Sequence, residues 1–128
     1  MAYAITTPEL KAIESDEDVV TDALEAASGI MDSYLVLYET PVLFSTFVFD
    51  PEVEEEAADA AALVQLQARF KRWCVALAAG ILTANQPASE KTVKDYQQAI
   101  DELTRVRAGF DPLPLLTMKD APVLTRAW

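Results

Sequence analysis

The sequence predicts an all-α fold, a small bundle of about four helices with an apolar extended loop and an extended, proline-containing C-terminal arm. Three observations predict it. Apolar residues recur at three- and four-residue spacing through three long windows, the spacing that lines up one face of a helix. Only three glycines occur in 128 residues, beside alanine-rich runs. The prolines fall at the edges of those windows or in the last stretch of the chain, where they end helices rather than break them. A chain of this length makes one domain and buries roughly two thirds of its unfolded surface.

Thr7-Pro8-Glu9-Leu10 reads as a helix start, with Thr7 as cap, Pro8 at the first helical position and Glu9 facing the positive end of the dipole. This helix is short and ends near Ile13 or Glu14. Ser15-Asp16-Glu17-Asp18 opens a second helix whose stripe is Val20, Ala23, Leu24, Ala27, Met31, Tyr34, Leu35 and Tyr38. Thr40-Pro41 is its expected stop, because the residue before a proline is pushed out of helical geometry.

Val42 to Asp50 (VLFSTFVFD) is apolar and aromatic, a short strand or a loop whose Phe44, Phe47 and Phe49 plug a core. As a strand it lacks an obvious partner in this chain and would pair with a neighbouring subunit. Asp50-Pro51-Glu52 is the expected start of the longest helix, with Asp50 as cap and Glu52, Glu54, Glu55 and Glu56 near the positive end. Run through to Ala84, it would be about 50 Å long. Pro51 to Ala62 is acidic and alanine-rich and either projects or breaks. Leu63, Leu66, Phe70, Trp73, Leu77 and Ile81 form the core stripe. Asn85-Gln86-Pro87 ends it, Ser89 starts the last helix, and Val93, Tyr96, Ile100, Leu103 and Val106 or Arg107 form that helix's expected buried face up to Gly109. Residues 1–109 are thus the bundle domain and 110–128 the arm. The arm, FDPLPLLTMKDAPVLTRAW, is too apolar for a solvated tail, and it packs either across its own bundle or against an adjacent protein.

Net charge is -11, and it is polarised: residues 1–62 carry 15 Asp and Glu against the single Lys11, whereas residues 63–128 carry 6 against 9 Lys and Arg. The N-terminal half therefore does not wrap duplex DNA, which requires clustered cations. Its acids are either a solvated face, or a surface that meets a basic partner or lines a passage for nucleic acid. Arg69, Lys71 and Arg72 with Lys91 and Lys94 form the one basic cluster, either ordinary surface charge or an attachment site for the acidic face of a second copy.

Chemistry is scarce. There is no histidine, the commonest general base and metal ligand, and the lone Cys74 lies in an apolar helical run that makes it a buried small hydrophobe. No phosphate-binding glycine loop occurs. Asp16, Glu17 and Asp18 lack the ligand spacing of a calcium loop, and Glu52 to Glu56 point around a cylinder instead of converging. Asp32 sits beside the apolar stripe, and a structural contact with Arg69, Arg72 or a backbone amide is expected of it. Trp73 and Tyr96 are expected to pack. No catalytic residue, cofactor or metal is expected. Apolar runs fall well short of the roughly 20 residues that span a bilayer, and no secretory leader is legible.

ALxxAS and MDSYL in the second helix, a Tyr three residues before Pro41, the Thr7-Pro8-Glu9-Leu10 opening, the long apolar helix and YQQAIDELTRVRAG leading to Gly109 occur here in order. In this ordered set the chain resembles the small head-tail adaptor proteins of Mu-like and lambdoid tailed phages. It departs from them at Leu37, where that family often has a basic residue. The resemblance implies a helical bundle with extended segments, assembled as a homo-oligomeric ring below a portal protein. Such a ring extends the DNA channel and docks the next neck or tail protein, with no catalytic residues. It implies a place in the virion neck, after assembly in the host cytoplasm. On this expectation Phe44, Phe47, Phe49, Arg69, Arg72, Phe110, Leu113, Leu115, Leu116 and Trp128 make intersubunit or interprotein contacts. Glu52, Glu54, Glu55 and Glu56 face a channel that DNA passes through without specific binding, and no membrane is involved. The alternative, from charge alone, is a small acidic regulatory or DNA-mimicking protein that binds a basic partner.

Overall fold

In the computed structural model, which describes residues 3–35, 52–84, 87, 89–110 and 113, four helices form one bundle: α1 (Pro8–Ile13), α2 (Glu17–Tyr34), α3 (Glu54–Leu82) and α4 (Glu90–Arg107). Their starts follow local chemistry. Thr7 Oγ1 accepts from the Leu10 N–H at 3.3 Å, the Asp16 carboxylate accepts from the Asp18 N–H at 3.0 Å, and Ser89 Oγ accepts from the Thr92 N–H at 3.1 Å. Each satisfies a donor that the first helical turn leaves without an intrahelical partner. At the other end of α4, Gly109 takes φ +84°, its N–H bonds to the Val106 carbonyl, and the Phe110 N–H bonds to the Arg105 carbonyl. This paired closure needs a left-handed residue, which glycine supplies without a Cβ penalty.

Two boundaries differ from the sequence expectation. Helix α2 stops at Tyr34, well before Thr40-Pro41, with the Leu35 N–H closing onto the Met31 and Asp32 carbonyls. Helix α3 begins at Glu54, with Val53 at the cap position and no side-chain cap. Three glutamates in its first turn face the exposed amides and offset the missing cap electrostatically. The expected cap Asp50, with Pro51, lies outside the described residues, as do Tyr38 and the segment holding Phe44, Phe47 and Phe49.

Helix α3 is the common wall. Leu66, Phe70, Trp73, Cys74 and Leu77 are fully or almost fully buried on it, while Leu63 and Ile81 at the ends of the same stripe are half-buried. They pack on Val20, Ala23, Leu24, Ala27, Met31 and Leu35 from the α2 side and on Ala99, Leu103 and Val106 of α4, with Leu10 of α1 closing the cluster. Side chains of this size contribute roughly 1.5–3 kcal/mol each when fully buried. Arg72 pairs with Glu102 and Gly80 lies against Tyr96, so α3 and α4 are antiparallel. Arg107 stacks over Tyr34, which brings the C-terminal ends of α2 and α4 together. The N-terminal end of α3 therefore lies at that same end of the bundle.

The buried line of α4 corrects the expectation. Val93 is 50% exposed, and Thr92 takes the inward position. The inward row is Thr92, Tyr96, Ala99, Leu103 and Val106, offset by one residue from the expected row at Thr92 and again at Ala99, with Ile100 half-buried beside it. Thr92 tolerates burial because its hydroxyl lies 2.9 Å from that of Ser89. The small Ala99 then lets α4 approach α3 closely.

Gly80 marks a close approach of α3 to the Tyr96 ring of α4. A Cβ built on it would lie 2.8 Å from Tyr96 Cε2 and closer still to Cδ2, whereas one built on Gly29 of α2 meets nothing within 4 Å. The same substitution therefore has opposite signs. Gly80→Ala is expected to destabilise by about 1–3 kcal/mol through overpacking. Gly29→Ala is expected to stabilise by about 0.4–1 kcal/mol through helix propensity and reduced unfolded-state entropy. Thermal and denaturant unfolding of the two variants checks both, and equal shifts would contradict the tight α3–α4 contact.

Candidate interaction surface

Helix α3 has 29 residues and α2 and α4 have 18 each. At 1.5 Å per residue the excess is about 16 Å. It lies at the N-terminal end of α3, because Leu66 is the first buried residue of that helix. The acidic, alanine-rich half projects and does not break. Glu52, Glu54 and Glu55 are exposed and Glu56 is half-buried. Among the described residues Glu54, Glu55, Glu56 and Asp59 have no ion-pair partner.

Toward the other end, a cleft of about 510 Å³ opens between α1, α3 and α4. Ala68, Val75, Ala76 and Ala99 give it apolar walls, and Lys71, Arg72 and Lys91 stand around it with Glu9 and Asp95. Thus three of the five cations that the sequence grouped, Lys71, Arg72 and Lys91, gather at the cleft, whereas Lys94 lies outside it and the Arg69 guanidinium lies 5.0 Å from the Trp73 ring centroid in a cation–π contact. Arg72 is held by Glu102 through two parallel hydrogen bonds of 2.8 Å. Lys91 Nζ donates to Asp95 at 3.0 Å and to Glu9 at 3.4 Å, and Lys94 pairs with Glu90 at 3.4 Å. The Lys91–Asp95 and Lys94–Glu90 pairs follow the i, i+4 spacing of α4, whereas the reach of Lys91 to Glu9 on α1 was not legible from spacing. Lys71 makes no ion pair among the described residues. The Asp95 hydrogen bond, with Glu9 behind it, raises the Lys91 pKa.

Asp32 has a different partner from those expected. It accepts a hydrogen bond from the Tyr3 hydroxyl, while the Tyr3 N–H donates to Ser28 Oγ at 2.9 Å and its ring meets Phe70 edge-on at 5.1 Å. Tyr3 thereby clips the N-terminal segment across α2 and α3. No local motif marks it, since Tyr3 lies outside every helix. Cys74 packs beneath, 3.4 Å from Ser28 Oγ, and burial pushes its thiol pKa up, which disfavours the reactive thiolate. Trp73 and Tyr96 pack as expected, fully buried and half-buried respectively.

Of the expected contact residues, Phe110 is 73% exposed immediately after the Gly109 closure, an aromatic ring on a fixed backbone. Leu113 is buried in the core cluster, so the start of the arm packs on the bundle. Leu115, Leu116 and Trp128 lie outside the described residues. Among the described residues no group of three or more His, Cys, Asp or Glu is placed to hold a metal ion, and no helix is long and apolar enough to cross a membrane.

Hydrogen bonds from Arg72 hold the Glu102 carboxyl below its ordinary value of 4.5, against the opposing effect of partial burial. A carboxyl lowered in the folded state contributes stability that is fully present above its unfolded-state value and is lost as pH falls through the folded-state value. Glu102→Gln is expected to cost about 0.2–1 kcal/mol at neutral pH, since Arg72 is half-exposed. The gap between wild type and variant should close as the pH is lowered beneath 4.5, read by thermal unfolding of both proteins. A gap independent of pH would assign the effect to packing.

A family model described as Bacteriophage Mu, Gp36 matches residues 2–125, nearly the whole chain. No curated protein and no solved structure matches it significantly.

Proposed function

The chain belongs to the bacteriophage Mu Gp36 family, a family of Mu-like phage proteins, and from that premise we propose that it is a virion structural protein of the neck, a head-tail adaptor. In this reading copies of the chain assemble as a ring below the portal, extend the DNA channel and dock the next neck or tail protein. The observation that carries it is the family match across residues 2–125. The ordered motifs and the four-helix bundle agree with it. The projecting acidic half of α3 suits a channel wall, because like charges repel DNA within a Debye length of about 8 Å at physiological salt and discourage adhesion. The role is non-enzymatic, and the chain binds no cofactor. It acts in the virion after assembly in the host cytoplasm.

A second reading is favoured by one observation, the concentration of 15 carboxylates against one lysine in residues 1–62. A small acidic protein of that kind would occupy the basic groove of a nucleic-acid-binding partner as a monomer.

Mass by light scattering across a wide concentration range, alone and with a cognate portal assembly, separates the two. The adaptor reading expects either a closed ring or a monomer that adds to the portal in many copies. A protein that stays monomeric and ignores the portal would overturn it in favour of the acidic binder. Removing residues 114–128, which spares the buried Leu113, is expected to abolish docking and leave the helical content unchanged.

A further inference from the structure

We infer that the cleft between α1, α3 and α4 receives the acidic, alanine-rich start of α3 from a second copy of this chain. The inference rests on the ring reading above and names the contact that would build the ring. Residues 54–62, EEEAADAAA, place four carboxylates and five alanines on one helical stretch, of which Glu54, Glu55, Ala58, Asp59 and Ala61 are exposed. Alanines let a helix approach an apolar wall closely, and Ala68, Val75 and Ala76 provide such a wall. Glu55 and Asp59, one turn apart on the same face, then meet the cations at the rim, and the remaining glutamates are left to face the channel. Of the cleft's three cations, Lys71 is the one with no ion pair among the described residues, and Glu54, Glu55, Glu56 and Asp59 are acids with none. Lys91 is 71% exposed in its pairs with Glu9 and Asp95, and exposed pairs of this kind exchange partners at little cost.

The two surfaces cannot satisfy each other within one molecule. Both lie on the same unbroken helix, and Asp59 is twelve residues from Lys71, about 18 Å along a rigid rod. That is more than twice the Debye length of about 8 Å, so the attraction is largely screened in cis. Only another copy can bring the unlike patches together. Contact between two different patches is heterologous, and it repeats head to tail until it closes into a ring or runs on as a filament.

Charge exchange tests this directly. Glu55→Lys with Asp59→Lys inverts the projecting helix, and Lys71→Glu inverts the cleft. All three side chains are exposed, so circular dichroism should report unchanged helical content. Self-association, measured alone and on a portal assembly, is expected to weaken about tenfold or more in either variant, as for close charge pairs across an interface. An equimolar mixture of the two variants, or all three substitutions in one chain, should restore it. If the wild type assembles and the variants assemble equally well, or if neither mixing nor combining rescues them, this interface is wrong while the ring reading stands. If the variants still self-associate and lose only addition to the portal, the cleft holds the portal and not a second copy. If the wild type is a single copy at every concentration, with and without the portal, the ring reading and the interface fall together.

Discussion

Burial of Phe70, Trp73 and Leu77 on one face of α3 constrains everything around it, because that face must serve α2 and α4 at once. A helix sandwiched in this way has no freedom to bend or rotate without opening a cavity beside one of its partners, and cavities of that size are costly. On either side of it α2 and α4 run antiparallel to α3, and Arg107 meets Tyr34 where α2 and α4 end. The position of the charge follows too. Because Leu66 is where burial begins, the acidic residues before it are carried outward on a rod whose far half is clamped. Neither the core nor the projecting charge can be moved without moving the other.

What could be read in the sequence was what local chemistry decides. Thr7, Asp16 and Ser89 mark helix starts because a side chain two or three residues before a free amide can cap it wherever the rest of the protein lies. The α2 stripe was legible because six of its eight residues are strong enough in pattern to fix a face, and Val20, Ala23, Leu24, Ala27, Met31 and Leu35 are all buried. The face of α4 was less so. Thr92 and Val93 are adjacent and similar in shape, and hydropathy favours the wrong one. The choice is made by the Ser89 hydroxyl and by the close approach at Gly80, both of them contacts between particular atoms.

The interaction surface was legible as composition and hidden as geometry. Lys71, Arg72 and Lys91 could be grouped from their positions around one helix turnover. Their division of labour rests on pairs such as Arg72 with Glu102, thirty residues apart, and Lys91 with Glu9, eighty-two apart. No periodicity announces such pairs, because each depends on how the helices dock. The Asp32 partner is a further case. The expectation looked to Arg69, Arg72 or a backbone amide, and the acceptor is filled instead by Tyr3 from a segment with no helical signature.

Charge segregation of this kind bears differently on the two readings of function. A protein that imitates nucleic acid by its charge gains from spreading carboxylates over a broad face, since a basic groove reads many phosphates at once. Here Glu54, Glu55, Glu56 and Asp59 are crowded onto one projecting helix whose remaining surface is alanine. The same chain carries an apolar-walled cleft with Lys71 at its rim, and the rigidity of α3 keeps the two apart in every single copy. In the proposed contact the two surfaces meet between molecules, which repeated assembly requires and a monomeric mimic has no use for.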